Sequence, residues 1–105
     1  MRNARNDAIR MDDAVNRGAL DEVLDLLNEG VDPNQRDVVG DPILVSAAWV
    51  GAADIVKLLL DRGADVNAQC PDGRNALQRV RTNKTYWDEG HDRVVRILLE
   101  AGSSE

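Results

Sequence analysis

A 33-residue period constrains this chain more than any other feature of it. The segment from Ala19 to Asn34 (ALDEVLDLLNEGVDPN) returns 33 positions later from Ala52 to Asn67 (AADIVKLLLDRGADVN). Gly18 falls on Gly51, Val23 on Val56, Leu26 and Leu27 on Leu59 and Leu60, Gly30 on Gly63 and Asn34 on Asn67. A third copy, GHDRVVRILLEAG from Gly90 to Gly102, aligns with Gly51 to Gly63 at a spacing of 39, whereas upstream Gly40 still falls on Gly73 and Leu44 on Leu77 at 33. Six residues are thus inserted between Leu77 and Gly90. A chain built this way consists of units that cannot bury their apolar faces alone and must stack on one another.

Each unit reads as a short helix, a tight turn and a longer helix. In the second copy Asp41 offers an N-cap before Pro42 at the first helical position, where the missing N–H costs nothing. That helix runs to about Trp49, Gly51 breaks it, and Asp54 offers the next N-cap. Ile55, Val56, Leu58 and Leu59 form the apolar stripe of the second helix, which ends at Gly63 in a left-handed C-cap. Turn formers then crowd the stretch from Asn67 to Gly73 (Asn67, Pro71, Asp72, Gly73), as in a projecting hairpin-like loop. Helices this short are marginal alone and need the neighbouring copy.

With those residues in view, the chain resembles the ankyrin repeat family, whose pattern is D-x-x-G-x-T-P-L-H-x-A-A-x-x-G followed by V-x-x-L-L-x-x-G-A-D-V-N-A. DVVGDPILVSAAWVGAADIVKLLLDRGADVNA matches it throughout, and the likeness runs from about residue 8 to residue 102. The resemblance implies an all-α solenoid of paired antiparallel helices with projecting hairpin-like loops: an N-terminal capping repeat at 8–36, a central repeat at 37–69, and a C-terminal repeat at 70–102 with its insertion near 82–89. Departures are specific. The T-P-L-H tetrapeptide is Pro42-Ile43-Leu44-Val45 in one copy and Asn75-Ala76-Leu77-Gln78 in the next, so Asp41 and Asn75 are expected to cap instead. Glu22 and Asp25 stand where the second copy has Ile55 and Leu58, and Val80-Arg81 replaces Ala47-Ala48, as end layers facing water would require. Val95, Ile97 and Leu98 are not polarised in this way and leave a C-terminal edge that could self-associate, although a monomer is expected.

Composition narrows the function. Aromatics are Trp49, Tyr86 and Trp87 alone, with no Phe, so the core must come from Leu, Val, Ile and Ala. Residues 1–69 carry 13 acidic against 7 basic side chains, and residues 70–105 carry 6 of each. The nine acids between Asp12 and Asp41 face only Arg17 and Arg36, which disfavours nucleic acid or an anionic membrane and favours a basic protein partner, although a solvated acidic face is the commoner reason for such an excess. No apolar run approaches the ~20 residues of a membrane span, and Met1 to Arg10 lacks the apolar core of a secretory signal, so a cytoplasmic protein is expected. One cysteine, Cys70, and one histidine, His91, exclude an internal disulfide and a structural zinc of soft ligands; no metal or cofactor is expected.

No phosphate loop, nucleophile elbow or zinc-helix motif is present. Asp88-Glu89-Gly90-His91-Asp92 is the best catalytic candidate, carboxylates flanking a histidine, and would serve a small hydrolase or transferase if a nucleophile such as Ser46, Thr82 or Thr85 lay near. The resemblance favours a structural His91, because the family commonly has histidine after this glycine. Cys70 would be reactive only if a positive neighbour such as Arg74 lowered its pKa, and it reads as a passive thiol.

The family binds proteins with its hairpin tips and the concave face of its first helices. Carried over position by position, the resemblance implies a partner-binding set of Val38, Val39 and Asp41 in the first hairpin, Trp49 and Val50 on the helix beneath, and Asp72 and Arg74 in the next hairpin, with Asn16, Arg17, Pro71, Thr82 and Asn83 at equivalent exposed places. Tyr86 and Trp87 join the set because a connection that fewer residues could close carries two of three aromatics, and they are expected one repeat away on the same rim as Trp49, or else Trp87 folds over Trp49 or the exposed end of the last repeat. The expected function is therefore non-catalytic binding of a protein, as an adaptor or as an inhibitor or immunity-type protein of a basic enzyme.

Overall fold

The computed structural model describes residues 4–83 and 86–103, with the side chains of residues 4 and 5 left aside. Six helices follow in order: α1 (Ala4–Asn16), α2 (Leu20–Asn28), α3 (Ile43–Trp49), α4 (Ala53–Asp61), α5 (Ala76–Val80) and α6 (Glu89–Glu100). They form two layers. The first helices α1, α3 and α5 pack in a row, the second helices α2, α4 and α6 pack behind them, and each first helix contacts its own second helix. The stack measures 39 × 27 × 25 Å. Among the described residues there is no strand, only an isolated antiparallel bridge between Arg36 and Pro42 at the root of the first hairpin loop.

The core lies between the layers and is aliphatic, as the missing Phe requires. Val23, Ile43, Ala47, Ala48, Val56, Leu59, Leu77, Val80, Val94 and Leu98 are all sealed from solvent. Ala47 and Ala48 are small enough for α3 to lie close to helices on both sides, since it packs against both α1 and α5. Met11 on α1 is likewise closed off and fills the space at the outer repeat with an unbranched, adaptable chain. Glu22 and Asp25 are exposed while Ile55 is buried, and Val80 is buried while Arg81 faces water, which matches the end-layer reading. At the C-terminal edge Leu98 points inward, Val95 and Ile97 are half-buried, and Leu99 is exposed.

Helix ends follow one rule. At the end of α4 the Gly63 N–H donates to Leu60 O (3.1 Å) and the Ala64 N–H to Leu59 O (2.9 Å), a Schellman closure with Gly63 at φ +98°. The same pair of bonds closes α3 through Gly51 and Ala52 onto Ala48 and Ala47.

Helix starts differ from expectation in two places. Asp41 does not cap α3: the helix begins at Ile43, Pro42 occupies the cap position with ψ 140°, and no side chain caps it. Asp41 belongs to the loop instead, its N–H donating to Asp37 Oδ1 (3.0 Å) and its carbonyl accepting the Asp37 N–H (2.9 Å). Nor does Asp54 cap α4, because the tight turn at Gly51 lets the helix start at Ala53 and leaves Asp54 in the first turn, where it pairs with Arg93 (3.3 Å). Asn75 does cap α5. Its side chain accepts the Gln78 N–H (2.9 Å) while Gln78 Oε1 accepts the Asn75 N–H (3.0 Å), a reciprocal pair that holds a helix of only five residues.

Candidate partner-binding face

The row of first helices and the first hairpin tip enclose a concave cavity of about 290 Å3, lined by Asp12 and Asn16 of α1, Asp37, Val38, Val39 and Asp41 of the loop, Val45, Ser46 and Trp49 of α3, and Arg79 of α5. The loop is aimed by Asp37. Its Oδ1 accepts the backbone N–H groups of Val39 and Asp41 (3.0 Å each) and its Oδ2 accepts the Ser46 hydroxyl (3.4 Å), so the turn is tied to α3. Val38 and Val39 stand on that turn, each 69% exposed, and the fold makes no use of them.

Charge in the cavity is mixed and predominantly negative. Asp12, Asp37 and Asp41 supply three carboxylates. Burial, reinforced by the negative charge of Asp37, pushes the Asp12 carboxyl above its ordinary pKa. Against them stands Arg79, whose guanidinium lies over the Trp49 ring at 5.2 Å and whose Nε is buried without a hydrogen-bond partner. Cys70 sits just behind: burial, then its hydrogen bond to Asp41, pushes the thiol up to about 11. Only Arg79 acts to lower it, so the expected passive thiol is what the environment enforces, and Arg74, whose carbonyl accepts the Cys70 N–H (2.8 Å), is not the activating neighbour.

Of the residues named from sequence, Val38, Val39, Asp41 and Trp49 come together on this face, with Asn16 beside them. Val50 caps the C-terminus of α3 outside the cavity, and Asp72 and Arg74 form their own pair (3.8 Å) on the second hairpin tip. Tyr86 and Trp87 do not line that cavity. They fold back on the start of α6, Trp87 stacked on the His91 ring at 5.1 Å and Tyr86 edge-on to it at 5.9 Å. Two short bonds draw them there: Trp87 Nε1–H donates to Asp92 Oδ1 (2.8 Å) and the Tyr86 hydroxyl to Asp88 Oδ2 (3.1 Å). Thr85 lies outside the described residues.

His91 is a structural residue. Its ring is sealed from solvent, Nε2–H donates to the Trp49 carbonyl (2.9 Å), and Nδ1 accepts the Asp88 N–H (3.1 Å) as half of a capping box at the start of α6. Burial works to raise the Asp88 pKa, but the hydrogen bond from the Tyr86 hydroxyl and those from the backbone N–H groups of His91 and Gly90 act against it, and the carboxyl lies below the usual carboxylate value. Ser46 and Thr82, the suggested nucleophiles, bond to Asp37 and to the Arg79 carbonyl.

Asp12, Asp37 and Arg79 escaped the sequence reading, and the period itself carries the signal that finds two of them. Asp12 is one repeat before Val45, and Arg79 is one repeat after Ser46. Every concave position of α3 therefore points to its counterparts on α1 and α5.

Among known proteins, the family model described as Ankyrin repeats (3 copies) matches residues 11–104. The ankyrin repeat-containing protein P1E11.10 of Schizosaccharomyces pombe is 36% identical over 64 residues, 61% of this chain and 31% of its own length. The E3 ubiquitin-protein ligase hecd-1 of Caenorhabditis elegans is 36% identical over 81 residues, covering 77% of this chain and 3% of its own, and SH3 and multiple ankyrin repeat domains protein 1 of Homo sapiens is 28% identical over 92, covering 86% and 4%. The chain thus spans under a third of the length of each of these relatives. Repeats of this kind are generally protein-interaction modules rather than catalysts. With three copies of the motif over nearly its whole length, this chain belongs to the ankyrin repeat family.

Proposed function

We propose that this chain binds a basic segment of a protein partner in the concave cavity, without catalysis. One observation carries the reading: three carboxylates, Asp12, Asp37 and Asp41, line a single cavity roofed by the exposed Val38 and Val39 and floored by Trp49. A cationic side chain entering there meets an excess of negative charge, while the valines cover its aliphatic stem. Among the described residues Arg79 supplies the only positive charge in the lining, and its stacking on Trp49 keeps the indole in one orientation. A narrower form of the same reading is an inhibitor of a basic enzyme. Its support is the charge of residues 1–69, thirteen acids against seven bases, which would steer a basic surface toward the cavity.

The test is a titration with an acetylated, amidated lysine-valine-lysine peptide, followed through the two indole N–H resonances of the 15N-labelled chain. The Trp49 resonance moves saturably, Asp12→Asn weakens the response, and raising salt from 50 to 300 mM weakens it further. A Trp49 resonance indifferent to the peptide, or a response indifferent to salt and to Asp12→Asn, refutes a basic ligand in this cavity.

A further inference from the structure

The inserted connection builds a second exposed surface, outside the lining of the concave cavity, and its chemistry is unlike that of a packing element. Tyr86 is 64% exposed and Trp87 43% exposed, yet both polar atoms of these rings are already satisfied, the indole N–H by Asp92 and the phenol hydroxyl by Asp88. One face of Trp87 rests on His91, and the exposure belongs to the other face. The result is an indole held in a single orientation with its open π-face toward water and no donor left to offer. Asp92 holds its edge, Asp88 and Glu89 follow it directly in the chain, all three are exposed, and the nearest base in the sequence on α6, Arg93, is paired with Asp54.

We infer that this loop is a second binding surface, for an arginine side chain on the surface of a protein partner. The face of an indole attracts a cation, and carboxylates beside it add charge complementarity. Arginine fits better than lysine because its guanidinium is planar, lies flat on a ring, and gives up hydration more readily. The chain already makes this contact once internally, where Arg79 lies over Trp49 at 5.2 Å. Among the described residues no guanidinium lies on the Trp87 ring, and its orientation is fixed before any partner arrives, so little side-chain freedom remains to be lost on binding.

The probe is acetyl-Gly-Arg-Gly-Arg-Gly-amide, added to the 15N-labelled chain while the Trp87 indole resonance is followed, with the citrulline peptide as a neutral, planar control. The Trp87 resonance is expected to shift saturably at millimolar peptide, and the citrulline peptide to bind about threefold or more weakly. In Glu89→Gln/Asp92→Asn, where the amide oxygen at 92 still accepts the indole N–H, affinity for the arginine peptide is expected to fall about threefold. A motionless Trp87 resonance, equal response to citrulline, or full affinity in the double variant overturns the proposal. Trp49 gives its own resonance in the same spectrum, so a response led by Trp87 is distinguished from one led by the concave cavity.

Discussion

The ring of His91 reaches back 42 positions in sequence to bond the carbonyl oxygen of Trp49 at 2.9 Å, joining the start of α6 to the end of α3. Asn83 Nδ2 donates to the same oxygen (3.1 Å), so one carbonyl at the end of a seven-residue helix holds both the entry and the exit of the inserted loop. Trp87 closes over the junction. His91→Ala is expected to lose the cap, the bond and the buried ring together and to cost about 2–4 kcal/mol, read from urea denaturation. Tyr86→Ala, which removes an exposed ring with its edge contact to His91 and its solvent-exposed bond to Asp88, should cost under ~1 kcal/mol in the same assay.

Gly51 lies directly beneath that ring. A Cβ built there would stand 2.8 Å from His91 Cε1, on a backbone at φ +76°. Gly63 has φ +98° but nothing within 4 Å of such a Cβ. Gly63→Ala therefore carries conformational strain alone, ~1 kcal/mol, whereas Gly51→Ala adds displacement of a buried imidazole and should cost at least ~2 kcal/mol. Equal losses of Tm in the two variants would mean that the ring yields freely.

The Cys70 thiol predicts alkaline sensitivity. Its pKa is about 11 in the folded chain and nearer the ordinary thiol value in the unfolded one, so the stabilisation from keeping it protonated is complete below the unfolded pKa. It is lost as pH rises through that value toward 11, because the unfolded chain then releases its proton first. Denaturation midpoints should fall between pH 8.5 and 11 in the wild type and fall less in Cys70→Ala. At pH 8, alkylation by iodoacetamide should run at least ~tenfold slower than for a free thiol.

Arg79 is the single cation in the concave lining among the described residues, and removing its charge makes the cavity more negative. Arg79→Gln should bind the lysine-valine-lysine peptide about two- to fivefold more tightly at low salt, a gain that 300 mM salt erases. A tightening that survives salt would trace to the freed Trp49 face instead.

Asn75 and Gln78 close α5 by mutual side-chain bonds. Asn75→Ala should cost ~1 kcal/mol, and Asn75→Asp, which retains an acceptor, much less. Hydrogen exchange in α5 is the local check.

Most of the fold was legible because its determinants are local and repeated. Gly51 and Gly63 announce helix ends that the hydrogen bonds then close, and the exposed Glu22 and Asp25 against the buried Ile55 mark an end layer from side-chain chemistry alone. The failures arise where tertiary contacts decide. Asp41 has the chemistry of a cap, but the hairpin bonds to Asp37 take it first, and Asp54 sits two residues past its cap position because the turn at Gly51 is tighter than the residue pattern reveals. Tyr86 and Trp87 have no counterpart in the other repeats, so periodicity says nothing of them, and their place depends on Asp88, Asp92 and His91. The concave residues divide in the same way: Val38, Val39 and Trp49 stand out as apolar residues without a packing task, whereas Asp12 and Arg79 matter only through the neighbours that stacking brings them.

Arg36 gives the mouth of the cavity a mechanical character. A single Nη1 donates to Gly40 O at 2.7 Å within its own hairpin and to Gln69 O at 2.8 Å, one repeat further along. Gly40 also lies against Pro71, so close that a Cβ would stand 3.3 Å from its ring. The two hairpin tips are therefore yoked. Displacing Val38 and Val39 must also drag the stretch from Gln69 to Pro71, so the mouth of the cavity resists being widened from one tip alone.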